Sequence, residues 1–265
     1  MKYKVGYYQF KPHLLEPERN LAVIEAALAS VEADLLVLPE LAASGYLFSS
    51  RDEVERMAES AQDGPTATTL RRLAASRDVS LVAGFAEREG DNIFNSAMLV
   101  NPDGSVYVYR KTHLFADEKS WFAPGDSGFR VFEAKGGVPV GLMVCFDWIF
   151  PESARTLMQR GAHILCHPAN LVLPWCQQAM ITRCIENRVF AITANRYGAE
   201  TGGGKSLTFT GQSQVTAPDG EVMGRAPEQD ERLFIVTIDP DRATNKNITE
   251  RNHVLNDRRP ELYER

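Results

Sequence analysis

Long apolar runs are missing from this sequence. Among its 265 residues there is no stretch of about 18 consecutive apolar residues, the length that a membrane-spanning helix needs. The first ten residues, MKYKVGYYQF, carry charge and tyrosine where a secretory signal peptide has an apolar segment. We therefore expect no membrane span and no leader peptide, and we expect a cytoplasmic protein.

Cysteine and positive charge are also scarce. Four cysteines are too few to hold a chain of this length together by disulfides, so free thiols are expected. Three of them, Cys166, Cys176 and Cys184, show no CxxC pairing and are expected to be structural. The net charge is -6, from 29 basic and 35 acidic residues, so composition gives no indication of nucleic-acid binding.

Strand and helix periodicities alternate along the whole chain, which favours a layered α/β fold. Asn101-Pro-Asp-Gly104 and Ala217-Pro-Asp-Gly220 are turn signals between strands. With no linker or low-complexity segment, we expect a single domain over residues 1–265 with a polar tail at 243–265. The periodicity predicts helices at 18–31, 66–77, 151–161 and 175–188, and strands at 3–9, 34–38, 80–86, 93–100, 105–110, 138–146, 163–166, 189–194 and 233–238.

Three reactive side chains follow apolar strands. Glu40 comes after LLVLP, Lys111 after VYVYR and Cys145 after GLMV. Active sites of α/β sheets lie beyond the carboxyl ends of their strands, so these side chains can meet there. A thiol needs a base to become a nucleophile, which Glu40 can supply. Lys111 and the backbone N–H of Phe146 can stabilise an oxyanion.

Each of these residues has an ordinary alternative. A buried cysteine is more often a small apolar side chain than a nucleophile. His113, two residues after Lys111, leaves a Cys-His dyad open as an alternative. His163 and His167 flank Cys166 and raise the possibility of a metal site. Strand alternation places the two histidines on one face and the cysteine on the other, which favours buried, hydrogen-bonded histidines.

Two acidic residues close to Cys145 are expected to be structural. Asp147 and Glu152 are predicted to bond to the backbone or to pair with Arg155, supporting the segment around the thiol. The glycine-rich run 202–205 lacks the spacing of a phosphate-binding loop and is predicted to be a mobile loop that borders the pocket.

Three blocks of sequence carry a family resemblance. They are LPELAASGY at 38–46, YRKTHLF at 109–115 and GLMVCFDWIFPESAR at 141–155. In this order and at about these spacings they resemble the signature blocks of the nitrilase superfamily, the carbon–nitrogen hydrolases. The resemblance extends over nearly the whole chain, as far as DRRPELY near its end. It implies a four-layer αββα sandwich, with two sheets face to face and helices outside.

The resemblance also implies an active site. The Glu-Lys-Cys triad of the family falls on Glu40, Lys111 and Cys145, and its second glutamate falls on Glu118. Phe146 departs from the tyrosine or tryptophan that often follows the cysteine, but only its backbone N–H enters the mechanism. No metal and no organic cofactor is implied. Family members pair into homodimers or higher homo-oligomers, and the tail at 243–265 is expected at that interface.

Aromatic side chains near the blocks are the candidate walls of a pocket for a small organic substrate. Trp148 and Trp175 can equally be packing residues. The pocket candidates are Tyr46, Trp121, Phe146, Trp148, Asn170 and Trp175.

The function expected from these residues is hydrolysis of a small linear amide or N-carbamoyl compound through a cysteine thioester. A nitrilase acting on small aliphatic nitriles is the alternative within the same chemistry. From a different class, a catalytically silent binding protein on the same fold remains possible, although it has no need of an intact triad. The sequence offers no Asp/His/Asn cluster for a metallo-phosphodiesterase and no membrane span for a lipid acyltransferase.

Overall fold

Two six-stranded sheets pack against each other in the computed structural model, which describes residues 1–263. The strands are β1 (Tyr3–Gln9), β2 (Leu35–Val37), β3 (Ser80–Glu89), β4 (Asn92–Val100), β5 (Val106–Arg110), β6 (Val131–Ala134), β7 (Val138–Leu142), β8 (Ile164–Ala169), β9 (Phe190–Asn195), β10 (Tyr197–Gly202), β11 (Lys205–Thr210), β12 (Gln214–Thr216), β13 (Val222–Arg225), β14 (Arg232–Ile238), β15 (Asn247–Thr249) and β16 (Asn252–His253). The helices are α1 (Pro17–Leu28), α2 (Arg51–Met57), α3 (Pro65–Arg77), α4 (Glu118–Trp121), α5 (Pro151–Gln159) and α6 (Cys176–Asn187).

The two sheets have related topologies. The first has the order β14-β1-β2-β3-β4-β5 and the second the order β13-β12-β9-β8-β7-β6. In each, three neighbouring strands are parallel, β1 to β3 and β7 to β9, and antiparallel strands flank them. Because parallel strands end at the same edge, the segments that follow β2 and β7 are carried to the carboxyl edges of their sheets.

Alternating side chains build the layers. On the first sheet, Val5 and Val82 face the second sheet, while Leu36 and Leu81 face helices α1 and α3. Helices α5 and α6 cover the outer face of the second sheet. This arrangement confirms the αββα sandwich. In the part of the chain that the structure describes, no helix is both long and apolar enough to cross a membrane.

Several predicted boundaries and elements were wrong. Helix α1 ends at Leu28 rather than at residue 31, and β7 ends at Leu142, before the thiol. The run 202–205 is not a loop of its own but the turn between β10 and β11. Its central residues, Gly203 and Gly204, have φ of +56° and +74°, which is the conformation of a tight hairpin turn that glycine favours. Helices α2 and α4 and strands β6, β10, β11, β15 and β16 were not predicted, and for β12 and β13 only the turn between them was.

A glycine on β3 leaves room for the segment after β2. Gly84 donates its backbone N–H to Pro39 and accepts from Ala42. A Cβ added at Gly84 would lie 2.4 Å from Cα of Glu40 and 2.7 Å from N of Leu41. Leu41 already has φ of +48°, so this segment has little freedom to move away.

We predict that Gly84→Ala lowers the free energy of unfolding by about 1–3 kcal/mol, because overpacking against backbone forces a displacement. Urea denaturation measures the change. Gly90→Asn is the matched control, because a Cβ at Gly90 has no atom within 4 Å and asparagine tolerates its φ of +57°. Equal stability of wild type and Gly84→Ala would contradict the role of this close approach.

Candidate active site

A buried ammonium group joins two carboxylates at the centre of the site. Nζ of Lys111 lies 2.7 Å from Oε1 of Glu40, and 2.8 and 2.7 Å from the two oxygens of Glu118. All three side chains are buried. The hydroxyl of Tyr46 donates to Glu118 over 2.8 Å. The structure thus brings together residues that are 71 and 7 positions apart in the chain.

The backbone around Lys111 is fixed on both sides. Lys111 donates its N–H to the carbonyl of Asn95 on β4 and accepts from the N–H of Gly125. A Cβ at Gly125 would lie 2.2 Å from the carbonyl oxygen of Arg110, so glycine is needed there. Arg110 pairs with the buried Glu87 over 2.8 Å. These contacts hold the end of β5 in place and with it the start of the lysine side chain.

Glu40 has one engaged and one unengaged carboxylate oxygen. Oε1 accepts from Nζ of Lys111 and, over 2.7 Å, from Nδ2 of Asn95. Oε2 is buried and has no hydrogen-bond partner among residues 1–263. The backbone carbonyl of Glu40 accepts from Nδ2 of Asn170, which follows β8 of the other sheet, over 3.0 Å. Glu40 is therefore oriented from both sheets and retains one oxygen that can accept a proton.

Cys145 occupies a strained position at the start of a 3₁₀ turn (Cys145–Ile149). Its φ is +41°, in the left-handed region that residues other than glycine rarely adopt. Asp147 stabilises the turn, because its carboxylate accepts from the N–H of Val144 over 2.8 Å and from the hydroxyl of Tyr109 over 2.7 Å. Such strain persists only where surrounding contacts enforce it, and it is common at functional sites.

Burial and charge decide the protonation of the cluster. Burial alone would lower the pKa of Lys111, but Glu118 and Glu40 outweigh it and the pKa is raised. Burial raises the pKa of Glu118, and Lys111 opposes that rise. Burial, followed by the charge of Glu40, raises the pKa of the Cys145 thiol well above its usual value, and Lys111 counteracts this only in part. The resting site therefore holds an ammonium group and a neutral thiol.

Two cavities border residues of the site and share Phe115 in their linings, with Glu118 lining the larger and Cys145 the smaller. The larger has a volume of about 240 Å³ and the smaller contains the thiol. Side chains of the larger include Tyr46, Glu118, Trp121, Leu207 and Lys205. The smaller is lined by Phe115, Cys145, Phe146, Trp148, Asn170, Leu171, Val172 and Leu173.

The sequence-predicted pocket residues divide into two groups. Tyr46 and Trp121 line the larger cavity, and Phe146, Trp148 and Asn170 line the smaller one. Trp175 lies at the start of α6 with 59% of its surface exposed and lines neither of these cavities. Substrate binding by these side chains stays a prediction.

The supporting residues differ in part from expectation. Asp147 accepts from the backbone N–H of Val144, as one of the two predicted alternatives had it, and it also bonds to the ring of His113 over 2.8 Å rather than to Arg155. The guanidinium of Arg155 donates instead to the carbonyl of Glu186, and Glu152 is exposed. The ring of His113 also stacks on the ring of Phe150, with 3.7 Å between the two ring centroids. His113 is thus engaged by Asp147, which gives no support to a Cys-His dyad.

The histidines beside Cys166 do not form a metal site with it. His167 is buried and hydrogen-bonded, as strand alternation predicted, whereas His163 is half-buried. Throughout residues 1–263 no group of three His, Cys, Asp or Glu side chains is arranged to hold a metal ion. All four cysteines are buried and unpaired in disulfides.

Two sets of supporting residues were missed at the sequence level. Asn95 orients Glu40, and the signal for it was a polar residue inside an otherwise apolar strand. Glu200 on β10 accepts from the N–H groups of Tyr46 and Leu47 over 2.9 and 2.6 Å, and it pairs with the buried Arg196 over 2.6 Å. Nothing in the local pattern around Glu200 indicated that its hairpin reaches the Tyr46 loop.

Comparison with known families decides the classification. The family model for carbon–nitrogen hydrolases matches residues 4–247. The chain belongs to this family. One relative is a protein from Pyrococcus abyssi described as a nitrilase, which is 45% identical over 263 residues, 98% of each chain. Membership of the nitrilase superfamily, which the three sequence blocks predicted, is thereby confirmed.

Solved structures of carbon–nitrogen hydrolases have the same fold. A carbon–nitrogen hydrolase from Helicobacter pylori G27 aligns with a TM-score of 0.86 and 27% identity, covering 99% of this chain and 97% of that one. A mutant amidase from Nesterenkonia sp. AN1 aligns with a TM-score of 0.80 and 28% identity, covering 98% and 95%. That amidase carries the acetamide moiety of fluoroacetamide covalently on its active-site cysteine.

We predict that the Cys145 side chain of this hydrolase is a thiol at neutral pH. A raised pKa means that the protonated form persists above about pH 8.5, where an ordinary cysteine ionises. The ultraviolet thiolate absorbance of wild type minus that of Cys145→Ala measures this ionisation, because the other three cysteines cancel. The difference should be absent at pH 7 and should develop only above about pH 9. A thiolate signal at pH 7 would contradict the prediction.

Proposed function

We propose that this hydrolase cleaves the C–N bond of a small linear amide or N-carbamoyl compound through a thioester on Cys145. The observation that carries the proposal is the buried Lys111 held between Glu40 and Glu118 over 2.7 Å contacts. Cys145 lines a cavity beside this group together with Asn170, which bonds to the Glu40 carbonyl. A nucleophile, a base and a fixed cation in one buried site are the groups that acyl transfer needs.

In the first half of the reaction, Oε2 of Glu40 accepts the thiol proton while Sγ of Cys145 attacks the carbonyl carbon. The carbonyl oxygen becomes an oxyanion that receives hydrogen bonds from Nζ of Lys111 and the N–H of Phe146. Each such donor contributes about 3 kcal/mol to stabilising the transition state. Glu40 then delivers its proton to the substrate nitrogen, the C–N bond breaks, and ammonia or an amine leaves the thioester.

In the second half, Glu40 accepts a proton from water as the water oxygen attacks the thioester carbon. The C–S bond breaks, and Glu40 returns the proton to the departing sulfur. The acid product leaves and the thiol is restored. Glu118 keeps Lys111 charged and oriented while Tyr46 fixes Glu118 in turn. No step of this mechanism needs a metal or an organic cofactor.

A nitrile is the second candidate substrate, because the Pyrococcus abyssi relative at 45% identity is described as a nitrilase. Attack of Sγ on a nitrile carbon gives a thioimidate, and water then releases ammonia and leaves the thioester. The same triad serves both reactions. The amide remains our first proposal, supported by the Nesterenkonia amidase.

We further propose that the chain forms a homodimer or a higher homo-oligomer, as the family resemblance implies. Three large apolar side chains are exposed: Ile149 at the end of the turn that begins at the thiol, Trp175 at the start of α6 and Ile185 on α6. In the tail, Ile248, Leu262 and Tyr263 are also exposed; residues 264–265 lie outside the described part of the chain. Sedimentation velocity tests this proposal, and a monomer at all concentrations would refute it.

We predict that Cys145→Ala and Glu40→Gln each lower kcat for ammonia release by at least about a thousandfold, because they remove the nucleophile and the base. The assay measures ammonia from a panel of small amides, N-carbamoyl compounds and aliphatic nitriles. Release from amides or carbamoyl compounds supports the first proposal, and release from nitriles alone selects the second.

The matched control is Cys184→Ala, which removes a buried thiol of α6 and should keep kcat within about threefold of wild type. Unchanged turnover by Cys145→Ala would refute the nucleophile. A wild-type protein that releases no ammonia from any compound of the panel would favour a binding protein on this fold.

A further inference from the structure

His167 on β8 contacts the backbone of the residue that carries the thiol. Its Nε2 lies 2.9 Å from the carbonyl oxygen of Cys145, and its Nδ1 lies 3.1 Å from Oγ1 of Thr193 on the adjacent strand β9. The imidazole ring is fully buried. The mechanism above does not use this histidine, and its role in filling space does not require two directed hydrogen bonds.

The partners of the ring fix its tautomer. A carbonyl oxygen only accepts, so Nε2 carries the hydrogen that bonds to Cys145. Burial lowers the pKa of His167 below its usual value, which favours the neutral ring. In a neutral ring with hydrogen on Nε2, Nδ1 is an acceptor and the hydroxyl of Thr193 donates to it. The ring is therefore a fixed donor aimed at the Cys145 carbonyl.

This carbonyl and the N–H of Phe146 belong to one planar peptide group. A hydrogen bond that holds the C=O therefore also sets the direction of the N–H at the opposite end of the same plane. The peptide follows the strained residue, whose φ is +41°, so its orientation depends on outside contacts. A donor on the C=O also polarises the peptide and makes its N–H a stronger hydrogen-bond donor.

We propose that His167 is a positioning residue, which aims and polarises the Phe146 N–H toward the oxyanion through the Cys145 carbonyl. This inference rests on the proposed function, in which that N–H receives the oxyanion. It adds a residue on β8 to a site otherwise built from Glu40, Lys111 and Cys145.

Three substitutions separate positioning from packing. The amide nitrogen of glutamine is as many bonds from Cα as Nε2 of histidine, so His167→Gln can donate to Cys145. His167→Asn is shorter and cannot reach, and His167→Leu has no donor. Cys166→Ala is the matched control, because it removes a buried neighbouring side chain from β8 without touching this bond.

We expect His167→Asn and His167→Leu to lower kcat by about thirtyfold or more with KM within about threefold, since a weakened oxyanion donor acts in the transition state. His167→Gln should recover kcat to within about fivefold of wild type. Alkylation of Cys145 by iodoacetamide forms no oxyanion, so its rate should stay within about threefold in all variants. Cys166→Ala should lose stability without losing kcat.

A kcat within threefold of wild type in the folded Asn or Leu variant would overturn the proposal. A loss of alkylation rate as large as the loss of kcat would also overturn it, because the substitution would then act on the sulfur of Cys145 and not on the oxyanion donor. If Leu does not fold, the polar Asn variant decides. The Phe146 amide resonance in NMR needs no substrate and should shift in His167→Asn but not in His167→Gln. If the Phe146 resonance shifts but the wild-type protein releases no ammonia, the proposed function fails while the contact from His167 to this peptide stands. If the resonance does not shift in His167→Asn, the inference itself is overturned.

Discussion

The buried ammonium of Lys111 is the constraint on which the rest of the site depends. A charge without solvent is tolerated only when opposite charges and hydrogen bonds compensate it, and removal of one partner leaves the other uncompensated. Glu40 and Glu118 supply that compensation over 2.7 Å contacts. The ends of β2 and β5 and helix α4 must therefore meet within one hydrogen-bond length, so the electrostatic requirement of one side chain fixes the positions of three separate segments.

The same charge arrangement determines how the thiol is used. Burial, together with the effects of Glu40 and Glu118 that Lys111 only partly offsets, raises the pKa of Cys145. A site of this kind does not store a thiolate. In the proposed mechanism the attack therefore needs proton transfer, and Oε2 of Glu40, which has no partner among residues 1–263, is available to accept the proton. The neutral resting thiol and the unengaged carboxylate oxygen are thus two consequences of one electrostatic arrangement.

Sequence patterns predicted the parts of the fold that repeat with a regular period and missed those set by tertiary contacts. The buried strands and helices α3, α5 and α6 followed from apolar periodicity, because burial of one face enforces it. Helix α2 and the β10–β11 hairpin were missed, since their side chains are largely polar or exposed. Glu40, Lys111 and Cys145 became candidates because each follows an apolar strand and lies in a block that resembles the family, and the structure brings Glu40 and Lys111 within 2.7 Å of each other. The contact of Glu200 with the Tyr46 loop could not be predicted from local sequence patterns, because it joins residues 154 positions apart.

Two strained residues of the site, Leu41 and Cys145, lie just beyond strands of different sheets. Each is held by the other layer or by a neighbouring strand: Asn170 of the second sheet bonds to the Glu40 carbonyl, and His167 bonds to the Cys145 carbonyl. The strain at Leu41 is therefore opposed by the bond from Asn170, which forms only when the two sheets are packed together. Because the proposed base and nucleophile come from opposite sheets, their separation is set by the apolar layer between the sheets. Apolar side chains of that layer, such as Val5 and Val82, therefore influence the proposed chemistry through the distance that they keep between the base and the nucleophile.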